Sequence, residues 1–104
     1  MLFGLPDYVV KEIRQVFLLD NCIKSVWLYS SRALGTQKPA SDIDLCIEAA
    51  TLELNDLHKL EVKVEALGFP WKVDLSIKRF IDNPALIQHI ENVGIDFLST
   101  KNKK

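Results

Sequence analysis

Two stretches of this chain alternate strictly between apolar and polar residues, and they do so in the same phase. In Asp42–Glu48 the residues Ile43, Leu45 and Ile47 fall on one side, while Asp42, Asp44, Cys46 and Glu48 fall on the other. In Trp71–Ile77 the residues Val73, Leu75 and Ile77 oppose Lys72, Asp74 and Ser76. Successive strand side chains point to opposite faces, so each stretch predicts a strand packed on one face against helices and open on its carboxylate face to water or a ligand. Such a sheet needs an apolar cover, and the intervening sequence supplies one. Val9, Val10, Ile13, Val16 and Phe17 recur at helical spacing behind Pro6, a good first-turn residue, and Asp7 at the positive end of the helix dipole. Asp20 and Asn21 read as the stop of this helix. Leu57, Leu60, Val64 and Leu67 predict a second helix, with Asn55 or Asp56 as cap and Gly68 and Pro70 beyond its end. Asn83 and Pro84 open a third, with Leu86, Ile87, Ile90 and Val93 apolar and Gly94 closing it. The unbroken run Val26-Trp27-Leu28-Tyr29 within Ser25–Tyr29 predicts a central strand, and Ile95–Leu98 a short last one. The reading is one α/β domain over residues 1–100, followed by a basic disordered tail, Lys101 to Lys104.

Composition narrows the classes of function. With 48% hydrophobic and 26% charged residues in 104, the chain is neither disordered nor fibrous. Its 13 basic and 14 acidic residues give a net charge of -1, which excludes the bulk attraction behind strong nucleic-acid binding. No apolar run reaches the roughly 20 residues of a membrane span, and the opening Met-Leu-Phe-Gly-Leu-Pro lacks a signal peptide's basic flank and long apolar stretch. The cytoplasm is the expected compartment. Cys22 and Cys46 have no zinc or CxxC spacing and are expected as thiols.

The chemistry-bearing stretch begins where the central strand ends, at Tyr29-Ser30-Ser31-Arg32-Ala33-Leu34-Gly35. A loop follows, and then Ser41-Asp42-Ile43-Asp44-Leu45. Alone, Asp-Ile-Asp-Leu is an amphipathic strand with a solvated acidic face. Beside the Ser-Ser turn it means more: two aspartates at alternate strand positions project together, as oxygen ligands of one or two Mg²⁺ ions must. Asp74, outward on the strand of matching phase, is the candidate third carboxylate. Without a cation, mutual repulsion raises at least one of their pKa values; with one bound, all three ionise. The turn from strand into helix offers free N–H groups and hydroxyls to phosphates, with Ser31 as the side-chain donor and Ser30 beside it. Arg32, expected in a surface turn, is the candidate to add positive charge at the leaving pyrophosphate.

Ten residues separate Ser31 from Asp42, and in that spacing the chain resembles the minimal nucleotidyltransferases of the DNA polymerase β-like superfamily, whose motif is a Gly-Ser turn, ten residues and Asp-x-Asp. The resemblance is close over Val26–Leu45 and, with Val73-Asp74-Leu75 and the order of helices, covers most of the chain. It implies a small mixed sheet with helices packed on one face and a carboxylate-lined cleft on the other. It also implies Mg²⁺-dependent transfer of a nucleoside monophosphate from ATP or another nucleoside triphosphate to an acceptor hydroxyl. Asp42, Asp44 and Asp74 would be the catalytic, metal-binding carboxylates, and Ser31 would contact phosphate. One departure stands out: Ser30 occupies the glycine position of the motif, which costs stability or nucleotide affinity if the backbone there requires a positive φ. Single-domain members resemble the antitoxin half of a toxin–antitoxin pair, whose helical HEPN ribonuclease partner is silenced by addition of AMP to a tyrosine. The resemblance thus implies a HEPN-type toxin as acceptor and partner. The rival is a catalytically weak domain that inhibits its toxin by contact. An oligonucleotide polymerase module fits poorly with the near-neutral charge.

The other conspicuous residues take plainer readings. His58 and His89 lie on different predicted helices without ligand spacing and are expected to be solvated or helix-flanking. Trp27 and Trp71 are expected to pack. Lys72, Ser76, Lys78 and Arg79 are expected at the surface. The base, the acceptor residue and the oligomeric state, a homo-oligomer included, stay open at this level.

Overall fold

A computed structural model describes residues 2–99, so the basic tail at 101–104 lies outside the described residues. The elements run α1 (Asp7–Leu18), β1 (Ser25–Tyr29), α2 (Ser31–Leu34), β2 (Ile43–Glu48), α3 (Leu54–Glu65), β3 (Val73–Ile77), a 3₁₀ turn (Lys78–Phe80), α4 (Pro84–Val93) and β4 (Ile95–Asp96). They form a four-stranded mixed sheet in the order β3-β2-β1-β4. β1 pairs antiparallel with β2 and β4, and β2 pairs parallel with β3. A parallel pair needs a long crossover, and α3 provides it.

The alternating strands do what their phase requires. Val26, Leu28, Ile43, Leu45, Ile47, Leu75 and Ile77 share one core with Val9, Val10, Ile13 and Phe17 of α1 and with Leu60 and Val64 of α3. Each such side chain, fully buried, contributes about 1.5–3 kcal/mol of apolar transfer. The cap of α4 is as expected: Asn83 Oδ1 accepts from the N–H groups of Ala85 at 3.0 Å and Leu86 at 3.4 Å, with Pro84 at the first position. Helix α3 starts earlier than its candidate caps suggest, with Glu53 in the cap place and Asp56 accepting from the Glu53 N–H at 3.0 Å.

Three expectations need correction. Asp42 precedes β2 rather than opening it, because the strand begins at Ile43. The last strand covers Ile95–Asp96 only. Cys46, expected on the open face, is fully buried in a second, smaller cluster with Tyr29 and Ile90. The reason is α4, whose apolar side needs a cover and finds one on the carboxylate face: Leu86 and Val93 pack there beside Trp27. Helices therefore cover the whole of one face and part of the other, leaving the acidic end of the second face open. Trp71 packs against the main core, and its indole N–H donates to the Pro39 carbonyl at 2.7 Å.

Candidate active site

Register brings the acidic residues together. Tyr29 on β1 lies opposite Asp44 on β2, and Asp44 lies beside Asp74 on β3, all on the face away from the main core. Asp44 is half-buried, whereas Asp42 and Asp74 are exposed, Asp74 on the edge strand of the sheet. Burial is the first cause that pushes the Asp44 carboxyl above its ordinary pKa, and the charges of Asp74 and Asp42 push the same way. A hydrogen bond from the Ser30 side chain and the charge of Lys72 oppose the rise. Lys72, taken as a plain surface lysine, thus acts on the site electrostatically. Burial likewise raises the Tyr29 phenol, helped by Asp44 and Asp74 and opposed by a hydrogen bond with Ser76.

The turn after β1 is strained. Ser30 adopts φ 68 and ψ −150, a region that glycine enters freely and other residues enter at a cost of about 1–3 kcal/mol. The condition under which Ser30 carries a penalty is therefore met. Two contacts hold it there: its side chain bonds Asp44, and its backbone N–H donates to His89 Nε2 at 3.1 Å. The Ser30 carbonyl accepts from the Ala33 and Leu34 N–H groups, both at 3.0 Å, closing the single turn of α2. In that first turn the N–H groups of Ser31 and Arg32 meet no carbonyl of the helix, which leaves them as donors for a ligand.

Arg32 corrects a further expectation. It is not at the surface but 2% exposed, and its guanidinium is spent on backbone carbonyls. Nε donates to Ser41 O at 3.2 Å, Nη1 to Phe3 O at 2.9 Å, and Nη2 to Ser41 O at 2.8 Å and Pro39 O at 3.2 Å. A planar donor fork surrounded by carbonyls braces the loop between α2 and β2, and so fixes the spacing between Ser31 and the aspartates. Gly4 makes room for it, since a Cβ there would lie 3.1 Å from Arg32 Nη1 and 2.5 Å from Gln37 Nε2.

His89, expected to be solvated or helix-flanking, is instead half-buried and reaches the turn after β1. It lies on the stripe of α4 that includes Leu86, Ile90 and Val93, spacing that already turned it toward the sheet. Its ring meets Tyr29 edge-on, with centroids 6.1 Å apart. His58 is as expected, solvated and 3.8 Å from Glu61.

The carboxylates suit divalent cations by charge and by side: acids of like charge gathered around the raised Asp44 carboxyl invite a positive ion. As the side chains lie, no three of the described His, Cys, Asp and Glu residues enclose a metal position, so the three acids share a face without forming a closed cage. A hollow of about 590 Å³ between α3 and residues 69–74 reaches this group at Asp74 and no other of the three acids. The acidic face and the turn, unlike that hollow, bring carboxylates next to the free backbone N–H groups of a helix start.

The fold has known counterparts. The family model described as polymerase beta, nucleotidyltransferase, matches residues 11–103. No curated protein sequence is significantly similar to the chain. Among solved structures, a toxin–antitoxin complex with AMP-PNP matches with TM-score 0.70 at 27% identity, over 88% of this chain and 74% of the matched chain. The toxin–antitoxin MntA-HepT matches with TM-score 0.66 at 22% identity, over 92% of this chain and 74% of that one. A tri-AMPylated Shewanella oneidensis HEPN toxin in complex with MNT antitoxin matches with TM-score 0.65 at 22% identity, over 91% of this chain and 73% of that one. The match to the family model spans nearly the whole chain, and with it this chain belongs to the polymerase β nucleotidyltransferase family.

Proposed function

We propose that the chain transfers AMP from ATP to a hydroxyl of a partner protein, a helical HEPN-type toxin, and acts as its antitoxin. The observation that carries this reading is the in-register pair Asp44 and Asp74 beside the Ser30-Ser31 turn, metal ligands next to phosphate donors. The likeness to toxin–antitoxin complexes, one solved with AMP-PNP and one with an AMPylated toxin, supports the partner and the nucleotide. Asp42, Asp44 and Asp74 would hold Mg²⁺, two ions in the fullest form, which when bound offset the charge on the attacking and leaving oxygens.

The chain's own residues do the rest. The Ser31 hydroxyl and the N–H groups of Ser31 and Arg32 hold the triphosphate, while buried Arg32 keeps the loop at the length that faces the acids to it. The acceptor hydroxyl enters at the open sheet edge by Asp74. Its oxygen forms a bond to the α-phosphorus, the bond from that phosphorus to the bridging oxygen breaks, and pyrophosphate leaves. The hydroxyl proton passes to water or to a carboxylate of the site. No described helix is long and apolar enough to cross a membrane, which is compatible with action in the cytoplasm on a co-expressed toxin.

The second reading, inhibition by contact with little turnover, is favoured by one observation, the non-glycine residue in the strained Ser30 position. Incorporation of α-phosphate-labelled ATP with Mg²⁺ into co-purified protein separates the two. Wild type is expected to label the partner, and the double variant Asp42→Asn, Asp44→Asn to lose at least about a hundredfold. An unmodified partner that is bound but never labelled would establish contact inhibition instead.

A further inference from the structure

We infer that His89 is a positioning residue for nucleotide binding: it holds the Ser30 turn in the strained shape that the triphosphate needs. The inference rests on the nucleotide-binding reading of that turn and adds to it a residue outside the motif. Ser30 has φ 68 and ψ −150 without the freedom of glycine, so left to itself it relaxes toward negative φ. Relaxation would rotate the Tyr29–Ser30 peptide, withdraw the Ser30 side chain from Asp44 and swing the Ser31 donors away from the acids.

His89 opposes this at the atom that matters. Nε2 accepts from the Ser30 N–H at 3.1 Å, which places the ring proton on Nδ1. The ring is held in turn by the edge-on contact with Tyr29, the residue preceding the turn, and by α4, whose neighbouring Ile90 is 3% exposed beneath the sheet face. One side chain thus fastens the peptide from a helix that carries none of the three acids. A chain with glycine in place of Ser30 needs no such fastening, and this gives the inference its test.

Three variants separate positioning from packing. His89→Phe keeps the ring and removes the acceptor. His89→Gln keeps an acceptor oxygen near the Nε2 position. Ser30→Gly removes the strain. Titration calorimetry with MgATP is expected to show Kd raised about tenfold by His89→Phe and within about threefold of wild type for His89→Gln. In the Ser30→Gly background, His89→Phe is expected to change Kd by less than about twofold. In the labelling assay the loss falls on KM for ATP, with kcat nearly unchanged. Equal losses in the Phe and Gln variants, a His89→Phe effect undiminished by Ser30→Gly, or no effect at all would each overturn the inference.

Hydrogen exchange at the Ser30 amide, read by NMR on the free protein, needs no nucleotide. Protection is expected to fall in His89→Phe and persist in His89→Gln, and unchanged protection in His89→Phe overturns the inference. Wild type that binds no MgATP overturns the nucleotide reading itself, and the Ser30 amide then still decides whether His89 holds the turn.

Discussion

At the scale of single residues, Asp44 carries the clearest conflict between stability and function. Its carboxyl is raised above its unfolded value by burial first and by Asp74 and Asp42 next. A raised folded pKa means that the native state holds the proton more tightly than the unfolded chain. Stability therefore falls as pH rises through the window above the ordinary Asp range, and is regained as pH falls below it. Asp44→Asn is expected to melt a few degrees higher than wild type near pH 7 without divalent ions, and the difference should vanish toward pH 4. Thermal melts across that range check it, and a variant that melts lower at neutral pH would show Asp44 to be favourably paired instead. The ordering of the acids was readable from alternation alone. The unequal fates of Asp42, Asp44 and Asp74 were not, because exposure depends on which helix covers which end of the face.

At the scale of elements, the loop between α2 and β2 is a structure in its own right, organised around one buried cation. Burial lowers the Arg32 pKa, yet the guanidinium stays charged and is matched by carbonyls rather than by a carboxylate. Hydrogen bonds to a charged group contribute about 1.5–3 kcal/mol each, and an emptied site leaves those carbonyls unpaired. Arg32→Ala is expected to lower unfolding free energy by about 3 kcal/mol, and Arg32→Lys by nearly as much, because lysine lacks the planar fork. Urea denaturation measures both; unchanged midpoints would return Arg32 to the role of a phosphate ligand. Helix α4 shows the complementary case. Its apolar stripe was legible by spacing, and so was the position of His89 on it. The face that it would cover was not, since a helix of this kind can pack on either side of a four-stranded sheet.

At the scale of the whole molecule, site and stability are coupled through binding. A ligand that binds only the folded state adds about 2.7 kcal/mol at a hundred times its Kd. Mg²⁺ with ATP is expected to raise the melting temperature of wild type by several degrees and that of the double variant Asp42→Asn, Asp44→Asn by none. Equal shifts in the two proteins would place binding elsewhere. The chain by itself determined that two strands of matching phase bury one face, that three helices have an apolar side, and that ten residues separate Ser31 from Asp42. These are local properties, set by periods of two and 3.6 residues and by covalent spacing. Only the tertiary structure decided that Asp74 sits beside Asp44, that Arg32 is drawn inside, and that His89 reaches the Ser30 amide. Each of those is a contact between residues distant in the chain or a burial imposed by packing, and no local pattern encodes which surface closes on which.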